Sequence, residues 1–177
     1  MDRPTDDLDH RILAALHARG ADPRVARVAC ALSRAGEHGA LWLAAGLAGA
    51  VVDVPRRGAW LRATALTAGA HLVGSLVKRI VRRPRPVHVE PLVRTAGRHS
   101  FPSSHATSAA AAAVAYGALG VRGVPPLAAA MCLSRLVVGV HYPTDVAAGA
   151  ALGALTARAG ARWVKGGVRE VQGGAHD

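Results

Sequence analysis

The chain has 177 residues, enough for one domain, and 51% of them are hydrophobic while only 3% are aromatic. The formal net charge is +11, but the cations lie between apolar segments and the few aromatic residues form no stacking platform, which argues against nucleic-acid binding. The two cysteines, Cys30 and Cys132, lie in apolar stretches and do not indicate a disulfide framework.

Residues 1–36 are expected to form two amphipathic helices. Thr5 is expected to cap a helix over residues 5–19, and Asp22 followed by Pro23 is expected to begin a second helix that ends near residue 34. Their apolar faces are expected to consist of Leu8, Ile12 and Leu16 in the first helix and of Val25, Val28 and Leu32 in the second. The acidic start of the chain does not resemble a secretory signal peptide. We therefore expect both helices to lie at a membrane interface or against the rest of the protein.

Five alanine-rich apolar segments follow. They cover residues 38–54, 61–81, 105–121, 124–141 and 143–161. Their charge-free cores are shorter than the ~20 residues of a typical span, which leaves a soluble helical bundle as the alternative. Their paired glycines, at 46 and 49, 69 and 74, and 149 and 153, favour close helix packing in lipid. The sequence thus predicts an all-α integral membrane bundle of about five transmembrane helices over residues 37–163, followed by a disordered tail over residues 164–177.

The most informative stretch is residues 134–145, where Ser134, Arg135, His141 and Asp145 interrupt an otherwise apolar sequence. Charged groups in such a stretch are costly to bury and mark a functional site. A spacing of four places Asp145 on the same helix face as His141. A carboxylate in that position orients an imidazole that acts as nucleophile or base.

Two further polar clusters complete the pattern. Lys78 begins a cationic run that ends at Arg85 and Pro86, and Pro102, Ser103, Ser104 and His105 precede an alanine-rich helix. A proline-rich connection over residues 82–104 separates the two clusters and would cover the site. If the helices alternate in direction, all three clusters reach the same end of the bundle.

These residues resemble the three motifs of the type 2 phosphatidic acid phosphatase superfamily, also called lipid phosphate phosphatases. The motifs Lys-x6-Arg-Pro, Pro-Ser-Gly-His and Ser-Arg-x5-His-x3-Asp occur in the same order and with the same spacings. Ser104 is the one departure, because the family usually has glycine there, a residue that tolerates positive φ more readily.

The resemblance implies a role for each matching residue. His141 would be the nucleophile that forms a phosphohistidine, Asp145 would orient it, and His105 would act as general acid and then general base. Lys78, Arg85 and Arg135 would bind the phosphoryl oxygens, with help from Ser103 and from the backbone at Ser104. No metal or cofactor is expected, because three cations already balance the phosphoryl charge.

The residues outside the motifs have plainer interpretations. Arg79, Arg82 and Arg83 are expected to contact anionic lipid headgroups, and His71 is expected to be a packed or hydrogen-bonded residue. The remaining polar residues near this end are expected to be solvated loop positions, with contact to the substrate headgroup as the alternative; they are Glu37, His38, His88, Glu90 and His99.

The implied function is hydrolysis of a lipid phosphate in the plasma membrane. Polyprenyl-linked substrates of cell-wall synthesis, including decaprenylphosphoryl-phosphoribose, and phospholipid phosphates are the candidates, and membrane lipids are the expected partners. The distribution of cations favours an extracytoplasmic active site. The alternatives are a soluble-type acid phosphatase or a vanadium-dependent haloperoxidase of the same superfamily.

Overall fold

The computed structural model describes residues 4–95 and 97–164, and within these ranges the regular elements are all helices, joined by a long irregular connection between α4 and α5. The helices are α1 (Pro4–His17), α2 (Pro23–Ala35), α3 (Ala40–Val52), α4 (Arg57–Val81), α5 (Ser104–Gly117), α6 (Val124–Val137) and α7 (Pro143–Ala159). The five apolar segments are therefore helices, as the sequence predicts. Apart from Val164, the predicted tail lies outside the described residues.

Helix α5 lies at the centre of the bundle and packs against α4, α6 and α7. Five of its seven alanines are buried, and α7 approaches it at two glycines. A Cβ atom on Gly149 would lie 2.5 Å from the Ser103 carbonyl oxygen, and one on Gly153 would lie 2.0 Å from that of Thr107. Only glycine permits this helix spacing, so the prediction of close packing at residues 149 and 153 is confirmed. Gly69, by contrast, has no atom within 4 Å of such a Cβ atom and is not a packing glycine.

The two N-terminal helices pack only partly through the faces that the sequence predicts. Helix α1 begins at Pro4, so Thr5 lies inside it and is not its cap. Leu8 and Ile12 are exposed, whereas Asp9 and Leu13 are buried against the bundle. In α2, Asp22 caps the helix as expected and accepts a hydrogen bond from the Arg24 N–H at 2.7 Å.

Helix α2 shows the same arrangement. Val25 and Val28 are exposed, and the residues that it buries are Ala29 and Ser33. Leu16 of α1 and Leu32 of α2, the third residue of each predicted apolar face, are partly buried and pack against the core. Each predicted face therefore lies partly against the core and partly on the exterior, an arrangement that suits a helix at a membrane interface.

Large apolar side chains also cover the outside of the bundle. Leu47, Val51, Leu72, Leu76 and Leu155 are all more than half exposed. No single helix among the described residues is both long and apolar enough to cross a membrane. Two consecutive segments, Glu37–Val52 and Val54–Val81, are together long and apolar enough, but they meet at a bend of 116°. The number of membrane spans thus stays a prediction.

Candidate active site

The three polar clusters meet at one cavity of about 710 Å³ at one end of the bundle. Six of the predicted site residues line it, namely Lys78, Arg85, Ser104, His105, Arg135 and His141. They come from the end of α4, the following connection, the start of α5, the end of α6 and the connection between α6 and α7. Alternating helix direction thus brings together residues that are far apart in the sequence.

His141 lines this cavity and pairs with Asp145, which is buried and does not itself line the cavity. The carboxylate oxygen Oδ2 of Asp145 lies 3.5 Å from Nδ1 of His141 and accepts a hydrogen bond from the Tyr142 N–H at 2.8 Å. Nδ1 of His141 has no hydrogen-bond partner among the described residues. Because Nδ1 faces the carboxylate, Nε2 is the nitrogen left for chemistry.

The charge state of His141 suits a nucleophile. Burial lowers its pKa from 6.5 to about 3, since the imidazolium would lose its water, and the cations of Arg135, Arg85 and Lys78 act in the same direction against the Asp145 carboxylate. The imidazole is therefore neutral at physiological pH, and its nitrogen lone pair is available.

Two arginines of the cavity are held by the protein itself. Arg85 donates to the Gly97 carbonyl at 2.8 Å and to the Val140 carbonyl at 2.7 Å, which ties the α4–α5 connection to the residue before His141. Arg135 donates to the Ser33 hydroxyl of α2 and is almost fully buried. Its Nε has no partner among the described residues. A buried unpaired guanidinium N–H in a cationic cavity suits an anionic ligand.

The start of α5 supplies the second imidazole. Nε2 of His105 lies 3.0 Å from the Ser33 carbonyl oxygen. Because a carbonyl oxygen only accepts hydrogen bonds, Nε2 carries a proton, and Nδ1 is the nitrogen that can take up and release a second proton. Ser103 is fully buried, caps α5 through the Ala106 N–H and does not line the cavity. Ser104 is the first residue of α5 and its φ is not positive, so serine meets no strain where the family usually has glycine.

Arg83 occupies a position that contradicts the sequence expectation of a lipid-facing cation. It donates to Oδ1 of Asp145 at 3.0 Å and to Oδ2 of Asp9 at 2.9 Å. Its guanidinium also lies 4.1 Å from the centre of the Tyr142 ring. The interpretation failed because the partner Asp9 lies 74 residues earlier in the chain, beyond the reach of any local pattern.

Sequence reasoning also missed part of the cavity wall. Glu37, His38 and His71 line the cavity, as do Ser33 and Ser75. His71 is half-buried with an unpartnered Nδ1 among the described residues. The position of His71, a polar residue within an otherwise apolar helix, could have indicated a place in the site. No feature of the sequence around Ser33 indicates that it lines the cavity. His88, Glu90 and His99 do not line the cavity.

Known proteins resemble this chain in sequence and in fold. The PAP2 superfamily model matches residues 59–169, and the chain belongs to that superfamily. A decaprenylphosphoryl-5-phosphoribose phosphatase of Mycolicibacterium smegmatis is 45% identical over 80% of both chains. Its Mycobacterium tuberculosis counterpart is 47% identical over 75% of this chain and 76% of its own.

More distant relatives share part of the chain or the fold. A lipid A 1-phosphatase of Rhizobium etli is 38% identical over 54% of this chain and 45% of its own length. The crystal structure of a transmembrane PAP2-type phosphatidylglycerolphosphate phosphatase from Bacillus subtilis superposes with a TM-score of 0.50 at 21% identity. That comparison covers 94% of this chain and 78% of the other, and it shows that the two share a fold.

Proposed function

We propose that the protein is a metal-independent phosphatase that hydrolyses the phosphate ester of a membrane lipid. The observation that carries the proposal is the cavity in which the motif imidazoles of His105 and His141 meet the three motif cations, Lys78, Arg85 and Arg135. Three cations around one anion neutralise the phosphoryl oxygens and stabilise the additional charge of a five-coordinate transition state. Membership of a superfamily of phosphatases supports the same reaction class.

The reaction would proceed in two displacements at phosphorus. In the first, Nε2 of His141 forms a bond to phosphorus and the ester P–O bond breaks, while His105, which carries a proton on both ring nitrogens when the phosphate is bound, gives its Nδ1 proton to the departing alkoxide. In the second, His105 removes a proton from water, the hydroxide forms a P–O bond, and the P–N bond breaks. Inorganic phosphate leaves and His141 returns to its neutral form.

A lipid substrate fits the exterior of the bundle. The apolar side chains on its surface suit a hydrocarbon environment, and a second, apolar cavity of about 190 Å³ shares His38 and His71 with the catalytic cavity. Its other lining residues include Leu43, Ala68 and Leu72, from α3 and α4. A phosphate held among the cations could thus have its hydrocarbon portion among apolar residues.

The relatives support a phosphosugar headgroup on that lipid. Two proteins that are 45% and 47% identical are named for decaprenylphosphoryl-5-phosphoribose. Glu37 fits such a headgroup, because a carboxylate in a cationic cavity repels phosphate but accepts hydrogen bonds from sugar hydroxyls. We therefore infer that a polyprenyl-phosphate-linked phosphosugar is the preferred substrate.

The experiment is a panel of phosphorylated lipids in detergent micelles, with released phosphate as the readout. Decaprenylphosphoryl-phosphoribose, phosphatidic acid and phosphatidylglycerol phosphate would be compared with a water-soluble monoester. We expect phosphate release from the lipids, most from the phosphoribosyl lipid, and none after the substitution His141→Ala. The control is His99→Ala, a histidine outside the cavity. Turnover retained by H141A, or confined to the soluble ester, would refute the proposal.

A further inference from the structure

A group of charged residues outside the three motifs surrounds the start of α7. Asp9 from α1 accepts hydrogen bonds from the Thr144 N–H, at 3.0 Å, and from the Thr144 hydroxyl. Arg83 joins Asp9 to Asp145 and donates to the Thr144 hydroxyl at 2.7 Å. The N-terminus of α7 thus carries two carboxylates, one its own and one from the first helix, with a guanidinium between them.

The burial of these groups makes them interdependent. Asp9 is 3% exposed and Asp145 is 0% exposed. Two buried carboxylates at one helix end repel each other and are costly unless a cation lies between them. Arg83 is that cation: although partial burial opposes its charge, the hydrogen bond to Asp9 and the charge of Asp145 raise the pKa of Arg83 above its ordinary value.

The contacts divide the two oxygens of Asp145 between different donors. Oδ1 is held by Arg83, and Oδ2 is held by the Tyr142 N–H on the side of His141. A carboxylate fixed at both oxygens cannot rotate, so Oδ2 stays directed at Nδ1 of His141. Arg83 and Asp9 themselves do not line the cavity and would not contact the phosphate.

We propose that Arg83 and Asp9 are positioning residues, which fix the Asp145 carboxylate and through it orient the His141 imidazole for attack. The inference rests on the proposed phosphatase reaction. It assigns a part in the reaction to α1, an element outside the region that matches the superfamily model.

The kinetic test compares Arg83→Gln and Asp9→Asn with the unmodified protein on the phosphoribosyl lipid. We expect kcat to fall by about 10- to 100-fold, the usual effect of removing a group that orients a reactive side chain. KM should change less than threefold, because Lys78, Arg85 and Arg135 remain in place. Arg83→Lys keeps the positive charge but lacks the planar guanidinium that contacts both carboxylates at once, so this variant should have a kcat between those of R83Q and the unmodified protein.

Arg79→Gln is the matched control, since Arg79 is an exposed cation of the same run. A lipid-facing role for Arg83 predicts the opposite result: R83Q and R79Q would both raise KM, with an effect that follows the fraction of anionic lipid, and kcat would not change. The double variant D9N/R83Q should lose little more than R83Q alone if the two residues act as a unit. Multiplicative losses would contradict the proposal.

A second readout does not depend on turnover. In protein labelled with 15N-histidine, the His141 ring signals, assigned by their loss in H141A, should show one tautomer in the unmodified protein and a mixture in R83Q and D9N. Thermal unfolding in detergent checks that each variant is folded. If the His141 signals of R83Q and D9N are the same as those of the unmodified protein, the positioning role is overturned. If the signals change as expected but the unmodified protein releases no phosphate, only the proposed function is overturned.

Discussion

At the scale of single residues, the chemistry depends on two imidazoles with different surroundings. His141 is directed by a carboxylate and is fully buried, whereas His105 is tied to the carbonyl of Ser33. A carboxylate partner suits a nucleophile, whose developing positive charge it stabilises, and a carbonyl partner fixes one tautomer for proton transfer. The roles of the two histidines therefore follow from their neighbours.

The proton-transfer role of His105 predicts an effect that depends on the leaving group. For an alkyl lipid phosphate, His105→Ala should lower kcat by about 10²- to 10⁴-fold. For an aryl phosphate, whose phenolate leaves without a proton, the loss should be at least tenfold smaller. Rates of phosphate release in micelles measure both. Equal losses for the two substrates would assign His105 a binding role instead.

The carboxylate of Glu37 predicts an effect on selectivity. Glu37→Gln removes the negative charge and replaces one of the two acceptor oxygens with a donor, so kcat/KM for the phosphoribosyl lipid should fall by about tenfold or more. The value for phosphatidic acid should stay the same or rise, since a negative charge leaves a phosphate-binding cavity. Glu90→Gln, an exposed carboxylate outside the cavity, is the control. A parallel fall for both substrates would remove Glu37 from headgroup recognition.

The sequence predicts the motif residues well because their spacing is local. His141 and Asp145 are four residues apart and do pair, but the predicted shared helix face is wrong, because His141 lies in the connection before α7 and only Asp145 is in the helix. Arg83 and Asp9 could not be recognised in this way, since their contact joins segments 74 residues apart. Ser103 illustrates a further limit: the spacing identifies the residue, but only the fold shows that its hydroxyl caps α5 away from the cavity.

At the scale of helices, the site depends on how closely α7 approaches α5. Gly153 lets the α7 backbone contact that of Thr107 in α5, about two turns from Asp145. The sequence locates the helices through their apolar runs, and it also indicates this contact through its glycine pair. It could not show which faces of α1 and α2 pack, because periodicity identifies an apolar face without saying what covers it.

The close approach predicts that Gly153 tolerates no larger residue. Gly153→Ala should force α5 and α7 apart, lower the free energy of unfolding by about 1–3 kcal/mol, and lower kcat by moving Asp145 relative to His105. Gly117→Ala, where a Cβ atom meets nothing within 4 Å, should leave both unchanged or slightly improved. Thermal unfolding by circular dichroism in detergent would detect the difference. An unchanged melting temperature in G153A would contradict the described helix spacing.

At the scale of the whole molecule, the functional unit is larger than the region that matches the superfamily model. Ser33 and Glu37 line the cavity and Asp9 supports the catalytic pair, yet all three precede residue 59. Residues 1–36 and 37–163 therefore differ in their sequence pattern, amphipathic in the first and apolar in the second, but residues of both parts meet at the site. We expect the isolated segment 59–169 to lack activity.

The orientation of the molecule in the membrane is open to a labelling test. We expect the catalytic end to face the extracytoplasmic side. In a variant whose Cys30 and Cys132 are replaced by alanine, Arg98→Cys in the α4–α5 connection should react with an impermeant maleimide in intact cells. Arg122→Cys, at the opposite end between α5 and α6, should react only after lysis. The reverse pattern would place the active site in the cytoplasm, and loss of the protein from membranes in high salt would favour a soluble enzyme.

The tie between α1 and α7 has a consequence for biosynthesis. Asp9 emerges from the ribosome before its partners Arg83 and Thr144, which lie 74 and 135 residues later. Until both have been synthesised, this carboxylate has neither its cation nor its helix end, so α1 cannot reach its final position. The active site therefore cannot be completed before α7 is made, and α1 settles only after it.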